Sequence, residues 1–465
     1  MRRQPTGVAP GRHSRLAVGA LGVLALALGA LQSVVEPALP LLQGELGVSS
    51  SQGALVGNTL LVTGAVVAPV AGKLGDRYGG RRVLVRLMAL VAAGGVLAAT
   101  APNLPVLLIG QVLQGVMVGA LPLSFILVRT HLPPRKSPVA IGLVMALFTG
   151  GGMVGTLIAG PLAERLSWHW MFASPTIAIV ATTLVVVRTM PPDPPAPADT
   201  AIDWAGAVLL SGTLLVFMLG LVTVSGPGLS PLACGVLTLV VGALAAGWVA
   251  VERRAAAPMV DLRMLATPAM ARACVLTFVL TVSSGMLLFL LPQLFALPAD
   301  GYGFGASTTG IGLFLLPGAL AGAVSDSLGG IAARRFGPRG VVLAGSAVTA
   351  ATMLALAQLH SAAWHLVLAK ALTACATGVA TTALLAAAAT AVAAKDTGIA
   401  TSLLVVTRVV GVALGAQVGG AVLDAGAGPA GRPMESAFVT GFAVAGLVAA
   451  LAMPVVRVTK RGIEK

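Results

Sequence analysis

Residues 72–82 read GKLGDRYGGRR, and residues 330–340 read GIAARRFGPRG. With an offset of 258 residues, Gly72 falls on Gly330 and Arg77 on Arg335, while Tyr78, Gly79 and Arg81 fall on Phe336, Gly337 and Arg339. Each run is a Gly-rich, basic turn between two long apolar stretches. Two such turns in corresponding places predict two homologous halves. Parallel halves of this kind build transporters whose substrate path runs between them. The offset exceeds half of the 465-residue chain, which leaves room for two extra helices between the halves.

Outward from these turns, stretches long enough to cross a bilayer as helices recur along the chain; each needs about 20 residues. They lie at 16–40, 53–72, 84–101, 104–128, 138–162, 170–189, 204–225, 231–251, 273–297, 307–328, 341–360, 363–388, 397–423 and 436–456. That predicts an all-α polytopic membrane protein with fourteen transmembrane helices. Its parts are a tail at 1–15, a six-helix bundle at 16–190, a Pro-rich linker at 191–203, two additional helices at 204–251, a linker at 252–272, a second six-helix bundle at 273–456 and a tail at 457–465. A run such as PPDPPAP in the first linker cannot stay helical and separates units.

The composition agrees. Hydrophobic residues make up 57% and charged residues 9%, against roughly a quarter charged in soluble domains. This excludes a soluble enzyme, a disordered chain and, with three cysteines, a disulfide-stapled scaffold. A net charge of +14 would suggest nucleic acid in a soluble protein. Here, of the 29 Lys and Arg, all but Arg165, Arg432, Lys370 and Arg408 fall in segments that share one side of the predicted topology. Cytoplasmic loops are enriched in this way, so both termini are expected inside and no nucleic-acid partner is expected. Trp168, Trp170 and Trp364 fall at outer ends of spans and Trp204 and Trp248 at inner ends, where amphipathic rings sit. The first span is longer than a signal-peptide core and lacks a clear cleavage site. Cys234, Cys274 and Cys375 lie inside spans and read as small apolar residues.

Several stretches, taken together and in order, resemble the major facilitator superfamily, and within it the fourteen-helix drug:proton antiporters. GKLGDRYGGRR resembles the signature loop between helices 2 and 3. GQVLQGVMVGALP from Gly110 resembles the helix 4 motif, and GGMVGTLIAG from Gly151 the helix 5 antiporter motif. SWHWMF from Ser167, IDWAGAVLL from Ile202, PMVDLRML from Pro258 and TRVVGVALG from Thr407 resemble further family segments. The resemblance implies two six-helix bundles plus two central helices, and proton-driven export of drugs, antibiotics or metabolites. It also implies that Gly72, Asp76, Arg77, Gly79, Arg81 and Arg82 form a cytoplasmic gate, with the Asp76 carboxylate bonded to the opposite half when the inside is closed. Gly151, Gly152, Gly155, Thr156 and Gly160 take the place of the antiporter motif. The chain departs from the pattern where Leu31 and Glu36 stand for an Asp and an Asn. It departs again where Gln111 stands for an Arg, and where Thr156 and Ala159 interrupt the Gly-Pro and Gly-Gly pairs.

Charges inside the spans are costly unless they face a cavity or a partner. Arg408 falls near the middle of its span, as a cavity residue or as half of a buried pair. Glu36 is the best protonatable coupling group, since desolvation raises a carboxylate's pKa; the rival reading is an acid at the outer surface. Pro37 and Pro40 beside it should bend or end the helix. Asp326 lies close in sequence to Arg334 and Arg335, which suggests a structural ion pair, with coupling as the alternative. Lys370 lies where a lysine can snorkel outward, and since it aligns within a residue of Gln111 in the repeat, a cavity role is the alternative. Gln111 and Gln114 serve either the cavity or helix–helix hydrogen bonds. The glycine runs at 150–160 and from Gly411 predict close helix packing, and no Walker lysine makes them a phosphate loop.

The expectation is a secondary active transporter, not an enzyme. It would need no cofactor or metal, take a small-molecule substrate with the proton as coupling ion, and sit as a monomer in the bilayer of a bacterial cell membrane. An importer or facilitator of a nutrient or organic anion is the alternative, since Arg408 and Lys370 suit an anion.

Overall fold

The computed structural model describes residues 12–131, 137–190, 231–254, 267–299, 301–391, 397–428 and 431–457, with Leu265 and scattered positions between 205 and 220. The first bundle comprises α1 (Arg12–Ser33), α2 (Val35–Leu46), α3 (Ser50–Tyr78), α4 (Gly80–Ala99), α5 (Leu104–Gly115), α6 (Ala120–His131), α7 (Ser137–Arg165) and α8 (His169–Thr189). Then follow α9 (Pro231–Arg254), α10 (Pro268–Ala296), α11 (Thr308–Phe336), α12 (Pro338–Gln358), α13 (Ala363–Ala391), α14 (Thr397–Ala425) and α15 (Glu435–Arg457). With α5 and α6 joined through a 3-10 turn (Val116–Gly119) into one span, Leu104–Val128, twelve helices among the described residues are long and apolar enough to cross a membrane, or thirteen when the bent α1–α2 pair counts as one span. The expected span 204–225 falls largely outside the described residues; the described positions there, including 205–206, 212–213 and 216–217, are helical.

Local chemistry sets the helix ends. Ser49 caps α3 in a reciprocal capping box with Gln52, and Ser307 caps α11 by accepting from the Gly310 amide. Asn103 caps α5 by accepting from Val106 N. Proline opens the first turn of α10 and α12, where no amide is needed.

The internal repeat survives into three dimensions. α3 and α11 are both 29 residues long and begin and end at the same offset of 258. Each stops at a left-handed glycine, Gly79 at φ 92° and Gly337 at φ 74°, from which the next helix starts at once. Only glycine adopts that conformation cheaply. Arg77 lies over the Tyr78 ring at 5.3 Å, and Arg335 lies over Phe336 at 5.4 Å.

Two bundles result. α1 packs on α7 and α8, and α4 on α5 and α8; α10 packs on α14 and α15, and α11 on α13. Phe172, Phe295, Phe438 and Phe442 are fully buried in the core. The bundles meet where α3 faces α14 and α7 faces α11. α10 is central, with 72% of its apolar window buried, whereas α9 buries 6% and reads as a lipid-facing, peripheral helix. Trp248 and Leu265 attach this region to the second bundle.

Candidate functional site

α13 places Lys370, Thr373, Thr377 and Thr381 at three- and four-residue intervals, so they share one face. That stripe lines a cavity of about 240 Å³ together with Thr281 and Ser284 of α10, Asp326 of α11 and Arg408 of α14. Thr377 and Thr381 donate back to their own helix at 2.7 and 2.8 Å, which leaves oxygen lone pairs for a ligand. The Thr373 and Ser284 hydroxyls have no partner among the described residues. A second cavity of about 170 Å³ lies against α2 and α3, lined by Gln32, Ser33, Glu36 and Asn58. The two adjoin at Leu288 and Val412, which line both.

Glu36 and Lys370 join the halves. The Lys370 ammonium donates to Glu36 Oε1 at 2.8 Å. Lys370 is buried, so it does not snorkel outward as its place near the start of α13 suggests. Its stem lies in a slot that Gly318 of α11 leaves open: a Cβ there would come within 2.2 Å of Lys370 Cγ. A desolvated ammonium is tolerable only with a partner, and Glu36 supplies one from the other half.

Arg408 and Asp326 form a looser pair, 3.8 Å apart, with side chains 49% and 44% exposed in the cavity wall. Asp326 thus meets Arg408 rather than Arg334 and Arg335, which lie on exposed turns nearer the helix end. Four of the six candidate cavity residues therefore converge. Gln111 and Gln114 do not: both are fully buried in α5, and their amides have no partner among the described residues. They line neither cavity, because α5 turns that face into the first bundle, where Gly110 and Gly94 bring α5 and α4 into backbone contact.

The glycines expected to act as an antiporter motif make close helix contacts. Gly151 and Gly155 press α7 onto the backbone of Leu26 and Ala30, and Gly152 lies by Ser33. Thr156 bonds back to Gly152 O, and its own carbonyl abuts Gly312 of the opposite half, as Gly160 abuts Thr309. In the expected gate, Arg81 donates to Val187 O at 2.5 Å, Arg82 is exposed, and Gly72 borders open space. Asp76 falls within α3, and its side chain lies outside the described residues.

Sequence reasoning missed a polar seam across the halves. Asn58 donates to Ala413 O at 2.9 Å and to Gln417 Oε1 at 3.3 Å, and Gln417 Nε2 donates to Ser51 O at 2.9 Å. Gln293 donates to Gln43 at 2.6 Å. Asn58 and Gln417 are buried. Their signal was a polar amide inside a small-residue run, GVALGAQVGG, read only for packing.

The family model that matches residues 21–269 is that of the Major Facilitator Superfamily. The chain belongs to this superfamily. An uncharacterized MFS-type transporter of Mycobacterium tuberculosis is 33% identical over 351 residues, which is 73% of this chain and 48% of that protein. The tetracenomycin C resistance and export protein of Streptomyces glaucescens is 29% identical over 349 residues, 74% of this chain and 62% of its own. The lincomycin resistance protein of Streptomyces lincolnensis is 31% identical over 246 residues, 52% of this chain and 50% of its own. The chain thus spans about half the length of several curated relatives it matches. Among solved structures, a bacterial homolog of the human lysosomal transporter Spinster, inward-facing and unoccupied, superposes with a TM-score of 0.69 at 14% identity, covering 97% of this chain and 98% of that one. The nucleoside transporter NupG gives 0.70 at 12% identity, covering 94% and 99%. At such identities they show the fold alone.

Proposed function

We propose that this member of the superfamily exports lipophilic or cationic small molecules by alternating access, in exchange for protons. The Glu36–Lys370 pair carries the reading: it is a protonatable carboxylate bonded across the two halves beside a cavity. A neutral Glu36 would leave the buried ammonium without its counter-charge and weaken the contact between the halves. A proton, Lys370 and a cationic substrate thus compete for one carboxylate, which is the logic of exchange. Resistance and export relatives support drugs or antibiotics as substrates.

The same reading includes fourteen spans, the seventh at 204–225. Gly220 lying against Leu237 of α9 supports a helix pair there. Both termini would lie in the cytoplasm of a bacterial cell, with a monomer in its membrane and Asp76 as the inner gate. Expression in an efflux-deficient host, with a resistance screen across compound classes, tests the assignment. The wild type should confer resistance, and Glu36→Gln and Asp76→Asn should lose it while still inserting into the membrane. Normal resistance with Glu36→Gln rejects the coupling role.

Arg408 favours a second reading. A half-exposed guanidinium held only loosely by Asp326 suits an anionic substrate, as an organic-anion importer or facilitator would need. Uptake of an organic anion that is lost in Arg408→Ala, without efflux of cationic dyes, would select it.

A further inference from the structure

The helix pairs that join the halves carry the same contact twice. Asp424, in the last turn of α14, accepts from Ser49 Oγ at 2.9 Å, Ser50 N at 2.8 Å and Ser51 N at 3.0 Å. Those three residues are the cap and first two positions of α3, in the other half. Glu164, in the last turn of α7, accepts from Thr309 N at 2.8 Å and Thr309 Oγ1 at 2.7 Å. Thr309 is the second residue of α11, again in the other half.

The repeat relates the two targets, since an offset of 258 carries Ser49, Ser50 and Ser51 onto Ser307, Thr308 and Thr309. An offset of 260 carries Gly151, Gly155, Gly160 and Glu164 onto Gly411, Gly415, Gly420 and Asp424. Four residues ahead of each carboxylate, a glycine removes the obstacle to close approach. A Cβ at Gly420 would lie 2.8 Å from Ser51 Cα, and one at Gly160 2.3 Å from the Thr309 backbone. The glycine brings one helix end onto the start of the facing helix. The carboxylate then caps that start, where free amides and the positive end of the dipole favour an anion.

We infer that Asp424 and Glu164 are a matched pair of latches, related by the internal two-fold, that close the face opposite the basic loops and must both let go when that face opens. They are positioning residues, distinct from the cavity charges, and the assignment rests on the alternating-access reading. The carboxylate end of each latch is invisible to span prediction because it lies at a helix terminus, where a charge is ordinary.

The test is a distance measurement on the full chain in lipid nanodiscs. Spin labels go on Glu45→Cys and Ser436→Cys, exposed positions on either half at this face, with Cys234, Cys274 and Cys375 replaced by alanine. Asp424→Asn should raise the ratio of open to closed distances about tenfold, and the more exposed Glu164→Gln about threefold. The double variant should show roughly the product. Ser50→Pro deletes one donor at a position where a helix accepts proline, and should shift the ratio in the same direction. An unchanged distribution in the double variant and in Ser50→Pro overturns the latches. Dye efflux by the same variants reconstituted into sealed vesicles separates the two claims: shifted distances in nanodiscs with no efflux by the wild type in vesicles keep the latches and reject the exporter.

Discussion

Lys370 shows what single residues could and could not reveal. Its charge inside a span marks it as costly, as do those of Glu36, Asp326 and Arg408, and all four reach the cavity region. Which charge meets which was not legible, because the partners come together through tertiary structure. Asp326 has basic neighbours eight and nine residues on, yet it pairs with Arg408 from another helix. Gln111 and Gln114 look like cavity amides and turn out fully buried, since a lone sequence does not fix the rotation of a helix. Glu36→Gln removes the counter-charge of a buried ammonium and should lower stability by about 3 kcal/mol. Pairing it with Lys370→Met should restore most of that loss without restoring proton-dependent efflux. Thermal unfolding in detergent checks the first part and vesicle efflux the second. Gly318→Val should displace the Lys370 stem and reduce efflux at least tenfold, with insertion unchanged on a membrane blot.

At the scale of elements, the helix ends and the bend near Pro37 follow from local chemistry. The ring of Pro37 meets the carbonyl four residues back, that of Ser33, and its nitrogen cannot donate there. The helix breaks at that point, and α1 and α2 differ in direction by 44°. The bend sets Glu36 in the first turn of α2, toward Lys370. Pro37→Ala should therefore straighten the pair, weaken the ion pair and shift the pH dependence of efflux; an unchanged pH profile would separate the bend from coupling. The glycine runs were legible as packing surfaces, and Gly155 and Gly415 do bring helices to backbone contact. Gly155→Val forces a Cβ onto the Ala30 carbonyl and should cost about 1–3 kcal/mol, read as a lower unfolding temperature. The polar seam and the latches escaped notice because their residues are common types whose meaning lies in the facing helix.

For the whole molecule, the offset of 258 between two basic turns predicts two equivalent halves, and the two helices that lead into those turns, α3 and α11, match in length, cap and terminal positive-φ glycine. α9, with 6% of its apolar window buried, lies at the periphery of the described residues. The orientation rests on the distribution of Lys and Arg. An impermeant thiol reagent added to intact cells should label Ser361→Cys and spare Gly340→Cys; the reverse would invert the topology. The most direct test of the account uses sealed inside-out vesicles, in which efflux appears as dye uptake, with the interior made acidic. The wild type should concentrate a cationic dye only while the proton gradient lasts, and Glu36→Gln should lose that dependence together with accumulation. Uptake that persists after the gradient is collapsed, or that is unaffected by Glu36→Gln, would contradict proton exchange at the Glu36–Lys370 pair.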